Sequence, residues 1–189
     1  VYKRQDKELI KGLIAEYQQF VKSVSFVKRA VTLSDNFNYV FVGLRRVGKS
    51  YLMYQQIHHL IETGISPEEI LFFNFEDERI AGMDTEHLDM IKRCYEEMYS
   101  HRPIFFLDEI QIVPHWEQFV RRLADQKYRV YVTGSNAKML SKDIATTLGG
   151  RFMIQYVYPF SFREYLSSNG VQLDKLWIYK NRSEVVRHF

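Results

Sequence analysis

The chain has 189 residues, of which 46% are hydrophobic and 26% are charged, as is usual for a soluble globular protein with one core. An aromatic share of 15% argues against disorder, and a formal net charge of +3 is too small to indicate a nucleic-acid partner. No apolar run reaches the ~18 residues of a membrane span, and no signal peptide opens the chain. The single cysteine, Cys94, excludes a disulfide framework and fits a reducing cytoplasm. We therefore expect a cytoplasmic protein and, from the hydropathy, no membrane partner.

Residues from about 6 to 24 predict an amphipathic helix, because apolar side chains recur at helical spacing with Lys and Glu opposite them. The apolar positions are Leu9, Ile10, Leu13, Ile14, Tyr17, Phe20, Val21 and Val24. Two interpretations remain open for this face: packing against the core, or contact with a bound ligand or a neighbouring subunit.

A strand over about 38–43 leads into a segment that fits the pattern G-x-x-x-x-G-K-[ST]. Helical spacing then resumes, and Gly64 predicts the end of that helix. Because loop N–H groups and a helix N-terminus both attract phosphate oxygens, the strand, loop and helix together predict a nucleotide-binding site. The predicted nucleotide-binding residues are Gly43, Leu44, Arg45, Arg46, Val47, Gly48, Lys49, Ser50 and Tyr51.

Two side chains of this loop have predicted chemical roles. Lys49 is expected to reach the β- and γ-phosphates, and the Ser50 hydroxyl to bind Mg²⁺. The side chains of Arg45 and Arg46 are expected to point away while their amides bind.

Strands and helices alternate along the rest of the chain. Strands are predicted near 70–75, 103–107, 129–133 and 152–158, and helices near 85–99 and 115–127, through 139–148 and from 162 onward. Cys94 falls on the apolar stripe of one helix and is expected to be a core residue. Such alternation implies a parallel sheet with helices on both faces.

The third strand ends in Asp108 and Glu109, which resemble a Walker B element. A carboxylate at the carboxyl end of a buried strand is held rigidly, so Asp108 is predicted to hold the Mg²⁺ that Ser50 also contacts. Glu109 would then face the water that attacks the γ-phosphate and act as base or orienting group. The alternative is an acidic strand end exposed to solvent.

Polar residues end two further strands. Ser135 is predicted to act as a sensor that hydrogen-bonds the γ-phosphate or the attacking water. Asn136 is either a second sensor or the cap of the following helix, and both interpretations stay open. Asn74 either holds Glu109 in an inactive position or is simply structural.

Arg151 follows Gly149 and Gly150 and precedes the fifth strand. A guanidinium given to another subunit's γ-phosphate neutralises charge in the transition state, so Arg151 is a candidate arginine finger and implies a homo-oligomer. The alternative is a surface arginine at the start of a strand.

These residues together resemble the AAA+-like ATPases of bacteria and archaea. The resemblance spans about residues 35 to 170 and rests on the segments 43–50, 105–111, 132–136, 148–152 and 158–166. It implies an α/β P-loop NTPase fold, a three-layer αβα sandwich whose five-stranded parallel sheet has the order 5-1-4-3-2. It also implies binding of ATP and Mg²⁺, hydrolysis of ATP, and Arg151 as the finger-like arginine.

On this basis the chain divides into an N-terminal helical segment over 1–36, a P-loop ATPase core over 37–168 and the start of a truncated C-terminal region over 169–189. Because the chain starts at Val1 and stops within a charged stretch, we expect a fragment of a longer protein. Members of the resembled group carry a further C-terminal region, through which a DNA or protein partner would bind.

Two classes of function fit the sequence. The first is an ATPase whose hydrolysis powers or switches a partner, and Glu109 favours it. The second is a slow nucleotide-dependent binding or signalling module. A small-molecule kinase is a weaker third interpretation, and a GTPase is disfavoured because no Asn-Lys-x-Asp motif occurs.

Overall fold

The computed structural model describes residues 2–135 and 143–170. Within these residues, five parallel strands form one sheet in the order β2-β3-β4-β1-β5. The strands are β1 Asn38–Val42, β2 Ile70–Asn74, β3 Ile104–Asp108, β4 Val130–Gly134 and β5 Phe152–Tyr156. The order is the predicted 5-1-4-3-2 counted from the other edge, so the prediction of an α/β P-loop NTPase fold is confirmed.

Burial follows the position of each strand in the sheet. Every residue of the central strands β3 and β4 is buried, as expected for strands that are covered on both faces. The edge strand β5 is only partly buried and ends at Tyr156, two residues earlier than predicted. Val157 still donates its N–H to the Val42 carbonyl at 2.7 Å, but Pro159, which lacks an N–H, follows closely and cannot extend the pairing.

The helices cover the sheet. They are α1 Tyr2–Ser23, α2 Lys49–Glu62, α3 Thr85–Met98, α4 Trp116–Asp125, α5 Asp143–Thr147 and α6 Phe162–Ser168. As predicted, α2 stops just before Gly64, which has a φ of +102°. Cys94 is buried on α3, as predicted. No helix in the described residues is both long and apolar enough to cross a membrane.

Helix α1 packs on β2 and α3. The Tyr17 ring contacts Phe72 and Phe73 of β2 edge-on, with ring centroids 5.7 and 5.5 Å apart. Leu9 and Phe20, both assigned to the apolar stripe, are instead 38% and 46% exposed, so the buried face is narrower than predicted. The contacts of α1 with β2 and α3 fit the packing interpretation.

The parallel direction of the strands brings the residues that follow β1, β2, β3 and β4 to one edge of the sheet. The phosphate loop (residues 43–50), Asn74, Asp108 and Ser135 all lie at this edge. The predicted residue Asn136, the predicted helical positions 139 and 140, and residues 171–189 lie outside the described residues.

Candidate nucleotide-binding site

The loop between β1 and α2 has the backbone conformation that its glycines permit. Gly48 caps α2 with a φ of +93°, a left-handed angle that favours glycine. A Cβ at Gly43 would collide with the carbonyl oxygen of Val157, so the chain after β5 approaches the loop closely at that point. Leu44, Arg45 and Arg46 are exposed, as expected for side chains directed away from a phosphate.

Lys49 is folded back over the loop. Its side chain is almost fully buried, and its ammonium donates to the Leu44 carbonyl at 3.2 Å. The same nitrogen lies 3.3 Å from Glu109 Oε1. Since a buried charge requires partners, the Leu44 carbonyl and the Glu109 carboxylate together hold the Lys49 ammonium beside the phosphate loop.

Ser50 and Asp108, the two predicted metal ligands, are in direct contact. Ser50 Oγ donates to Asp108 Oδ1 at 3.1 Å, and Thr133 Oγ1 donates to the same oxygen at 2.5 Å. Burial raises the pKa of Asp108 to about 6, although these two hydrogen bonds oppose the shift and the nearby charge of Glu109 adds to it.

A hydroxyl and a carboxylate fit the oxygen ligands that Mg²⁺ prefers, either directly or through water, when phosphates complete the shell. Within residues 2–135 and 143–170, no group of three or more His, Cys, Asp or Glu side chains is placed to hold a metal ion without such help. Ser50 and Asp108 are therefore the residues that would hold Mg²⁺ beside a bound nucleotide.

Glu109 is held from several sides. Its backbone has a left-handed φ of 52°, and its N–H donates to Thr133 Oγ1 at 2.8 Å. Its Oε2 accepts hydrogen bonds from Ser135 Oγ at 2.9 Å and from Gln111 Nε2 at 2.5 Å. The predicted base and the predicted sensor Ser135 are therefore neighbours, and the carboxylate is fixed between β3 and β4.

Sequence reasoning missed two residues of this arrangement. Thr133 is fully buried and links Asp108 to the backbone of Glu109, and the only sequence signal for it was its place in the segment 132–136 that carries the family resemblance. Gln111 holds Glu109, and the only sequence signal for it was its place in the segment 105–111 that carries the family resemblance.

Asn74 has a local role in the structure. Its Oδ1 accepts the backbone N–H of Glu76 at 3.0 Å, which shapes the turn after β2. This contact fits the structural interpretation of Asn74 rather than a hold on Glu109.

Arg151 lies at the amino ends of the strands, whereas the phosphate loop follows the carboxyl end of β1. Because β5 is parallel to β1 with Phe152 opposite Asn38, Arg151 lies level with position 37, six residues before Gly43, which corresponds to about 20 Å at ~3.3 Å per residue. Its guanidinium instead contacts Asp125 Oδ1 at 2.5 Å and the Gly149 carbonyl at 3.1 Å. A catalytic role for Arg151 within its own chain is therefore incompatible with this geometry. A role in a neighbouring subunit stays a prediction, and the contacts with Asp125 and Gly149 also fit the alternative of a surface arginine at the start of a strand.

An apolar cavity of about 660 Å³ opens beside the loop. One wall comes from the segment after α1, a second from the loop and the first turn of α2, and a third from the turn that precedes α6. Its lining includes Phe26, Arg29, Val47, Gly48, Tyr51 and Phe160. Tyr51, predicted to bind nucleotide, thus borders a space continuous with the phosphate loop.

The sheet order, the glycine loop between β1 and α2, and the acidic end of β3 beside it define a P-loop NTPase domain. A family model described as AAA domain matches residues 35–166, and the chain belongs to this family. The predicted resemblance to AAA+-like P-loop proteins is thus confirmed.

The curated relatives are longer than this chain. An uncharacterised protein of Methanocaldococcus jannaschii is 30% identical over 184 residues, which are 96% of this chain and 40% of that protein. An uncharacterised protein of Haemophilus influenzae is 34% identical over 168 residues, 87% of this chain and 42% of that protein. The chain therefore spans about two fifths of the length of these relatives.

Two solved structures resemble the chain at a coarse level. Hsp104 of S. cerevisiae in complex with casein has a TM-score of 0.46 and 13% identity, with 88% of this chain and 28% of that chain covered. Orc1 of Aeropyrum pernix in complex with DNA has a TM-score of 0.43 and 14% identity, with 89% of this chain and 49% of that chain covered.

Proposed function

We propose that this domain binds ATP with Mg²⁺, hydrolyses it, and uses the nucleotide cycle to power or switch a partner. The observation that carries the proposal is the convergence of four side chains, two from the start of α2 and two from the end of β3. Ser50 contacts Asp108 at 3.1 Å, and Lys49 contacts Glu109 at 3.3 Å. Residues 58 to 60 positions apart in the sequence are thus assembled into the donor and acceptor set that phosphoryl transfer requires.

Each residue has a distinct part in this proposal. The loop amides and Lys49 bind the phosphates, and Ser50 with Asp108 holds the metal ion. Mg²⁺, when bound, neutralises charge on the phosphate oxygens. Glu109, fixed by Ser135 and Gln111, orients the attacking water and accepts its proton.

The cavity beside the loop is proposed to hold the base and sugar of the nucleotide. Its volume of about 660 Å³ lies within the range of ~300–1,000 Å³ that is usual for small-molecule sites. The rings of Phe26, Tyr51 and Phe160 line it, and flat aromatic faces pack well against a base.

A partner and self-association are further parts of the proposal. Arg151 is proposed to approach the nucleotide of a neighbouring copy, because it cannot reach its own. The relatives extend well beyond the length of this chain, and we assign recognition of a DNA or protein partner to the longer protein.

The position of Arg151 also favours a second candidate function, a slow nucleotide-dependent switch. A single copy lacks this guanidinium at its own γ-phosphate, so its turnover would be slow until copies associate. Under this alternative ATP holds one shape of the domain, and hydrolysis only resets it.

Calorimetry of Mg·ATP binding to the Lys49→Ala variant tests the nucleotide site. We expect binding to be abolished, because the phosphates lose the loop ammonium. Lys22→Ala is the matched control, since Lys22 is exposed in the last turn of α1, away from the loop. Thermal unfolding of both variants checks that the fold persists.

Unchanged affinity of a folded Lys49→Ala variant would remove the phosphate-loop assignment. Release of phosphate by the full-length protein, measured with and without DNA, separates the two candidate functions. Tight binding with negligible release under every condition would favour the switch over the ATPase.

A further inference from the structure

Arg29 is a buried arginine in the segment between α1 and β1. Only 8% of its surface is exposed, whereas Lys28 beside it is exposed. Its backbone is anchored to α2, because Gln55 Oε1 accepts the Arg29 N–H at 2.6 Å and Gln55 Nε2 donates to the Arg29 carbonyl at 3.1 Å. These two hydrogen bonds fix the backbone of Arg29 so that its guanidinium lies at the wall of the cavity.

The three nitrogens of this guanidinium bind three different segments. Nη1 donates to the Val47 carbonyl of the phosphate loop at 3.2 Å, and Nη2 donates to the Tyr158 carbonyl after β5 at 2.7 Å. Nε donates to Glu164 Oε1 on α6 at 2.9 Å. A planar guanidinium suits such divided contacts, whereas a lysine ammonium is a single point of charge.

The Glu164 carboxylate is ionised where it contacts Arg29. Burial raises its pKa, but hydrogen bonds from Ser161, from the Ala30 N–H and from Arg29 outweigh that effect and lower the pKa to about 2. The Arg29–Glu164 ion pair is largely shielded from water, since the two side chains are 8% and 11% exposed. Removal of either partner would leave the other charge poorly compensated.

The contact with Val47 has a consequence for the phosphate loop. The C=O and N–H of a trans peptide point in opposite directions, and the Val47 carbonyl shares its peptide with the Gly48 N–H. Arg29 draws this carbonyl toward itself, so the Gly48 N–H is turned to the other side of the peptide. The guanidinium also lies against the loop backbone, because Nη1 would be 3.6 Å from a Cβ at Gly48.

We propose that Arg29 is a positioning residue for phosphate binding: it fixes the Val47–Gly48 peptide so that the Gly48 N–H faces the nucleotide phosphates. Through Glu164 and Tyr158, the same guanidinium ties the conformation of the loop to α6 and to the chain that leads into it. The part that concerns phosphates rests on the proposed function; the orientation of the peptide does not.

The test compares Arg29→Lys and Arg29→Met with the matched control Lys28→Met, which removes an equal charge from the adjacent exposed residue. Calorimetry gives the Mg·ATP affinity, and ¹H–¹⁵N NMR of the nucleotide-free protein follows the Gly48 amide. We expect both Arg29 variants to bind ATP about tenfold or more weakly, as for loss of a hydrogen bond to a charged group. The Gly48 resonance should move in both, and Lys28→Met should match the wild type in affinity and in that resonance.

Each outcome of these experiments either supports or contradicts the positioning role of Arg29. Wild-type affinity of folded Arg29→Lys, or weakened affinity without movement of the Gly48 resonance, would overturn the positioning role. If the wild type itself fails to bind ATP, the proposed function fails, and the Gly48 resonance still decides whether Arg29 orients the peptide. If Arg29→Met does not fold, Glu164→Gln replaces it, because this variant weakens the contact with Arg29 while keeping the guanidinium. It should show the same changes in affinity and in the Gly48 resonance to a smaller degree. Unaltered affinity and resonance in Glu164→Gln would contradict the proposal.

Discussion

Lys49 and Glu109 form a buried ion pair that joins the start of α2 to the end of β3, with 3.3 Å between Nζ and Glu109 Oε1. The other carboxylate oxygen, Oε2, is already held by Ser135 and Gln111. A γ-phosphate that binds Lys49 would therefore compete with Glu109 for the same ammonium. Phosphate binding at Lys49 would therefore release Oε1 of the proposed base, Glu109, from the ion pair.

From this pair we predict that Glu109→Gln retains ATP affinity, or increases it, while hydrolysis slows by about 10²–10⁴-fold. Binding requires Lys49, Ser50 and Asp108, whereas activation of water requires the carboxylate. Calorimetry and phosphate release measure the two effects, with the exposed Glu62→Gln as control. Normal turnover in Glu109→Gln would place the base elsewhere.

Asp108 should oppose folding at neutral pH. Its folded pKa, about 6, lies above the unfolded value of 3.8, so protonation favours the folded state and stability from this group is lost as pH rises through 6. At about 1.4 kcal/mol per pKa unit the shift corresponds to about 3 kcal/mol.

We therefore predict that Asp108→Asn raises the free energy of unfolding at pH 7.5 in metal-free buffer by up to about 3 kcal/mol, with little change near pH 4. The same variant should lose Mg²⁺-dependent ATP hydrolysis. Urea unfolding at the two pH values measures the stability. Equal effects at pH 4 and pH 7.5 would show that ionisation of Asp108 is not the cause.

Thr133 should matter for both stability and turnover. In Thr133→Val the shape is kept, but Asp108 loses a donor and the buried N–H of Glu109 loses its acceptor, which we expect to cost about 1–3 kcal/mol. Thr133→Ser keeps the hydroxyl and should retain turnover, while Thr133→Val should slow it. Similar turnover in the two variants would exclude a role for the hydroxyl.

Arg151 is predicted to act on a neighbouring copy, and turnover should then rise with protein concentration. Arginine fingers generally contribute ~10³–10⁵ in rate, so Arg151→Ala should bind ATP but hydrolyse it slowly. Mixing Arg151→Ala with Glu109→Gln should restore activity, because one mixed interface pairs an intact Glu109 with an intact Arg151. Absence of recovery, despite mixed complexes visible by mass spectrometry, would leave Arg151 as a residue that merely holds Asp125 and the start of β5.

Local pattern was sufficient to predict the succession of strands and helices. Strands that are buried on both faces must be apolar throughout, and the glycines of the phosphate loop permit angles that other residues rarely adopt. The sequence therefore determined the alternation of strands and helices, and it placed Lys49, Ser50 and Asp108 at strand or helix ends. The resemblance to a known family then supplied the strand order that the structure confirms.

Contacts between distant segments were decided only by the tertiary structure. Arg29 and Glu164 are 135 residues apart, and nothing in the local pattern of either predicts an ion pair beside Val47. Likewise, the parallel register of β1 and β5 places Arg151 at the amino ends of the strands, away from the phosphate loop. The sequence alone had assigned Arg151 and the phosphate loop to the same type of site, one that acts on a nucleotide. Periodicity records which face of an element is buried, but hydrogen bonds and ion pairs depend on which elements the sheet order makes neighbours and on the direction in which each strand runs.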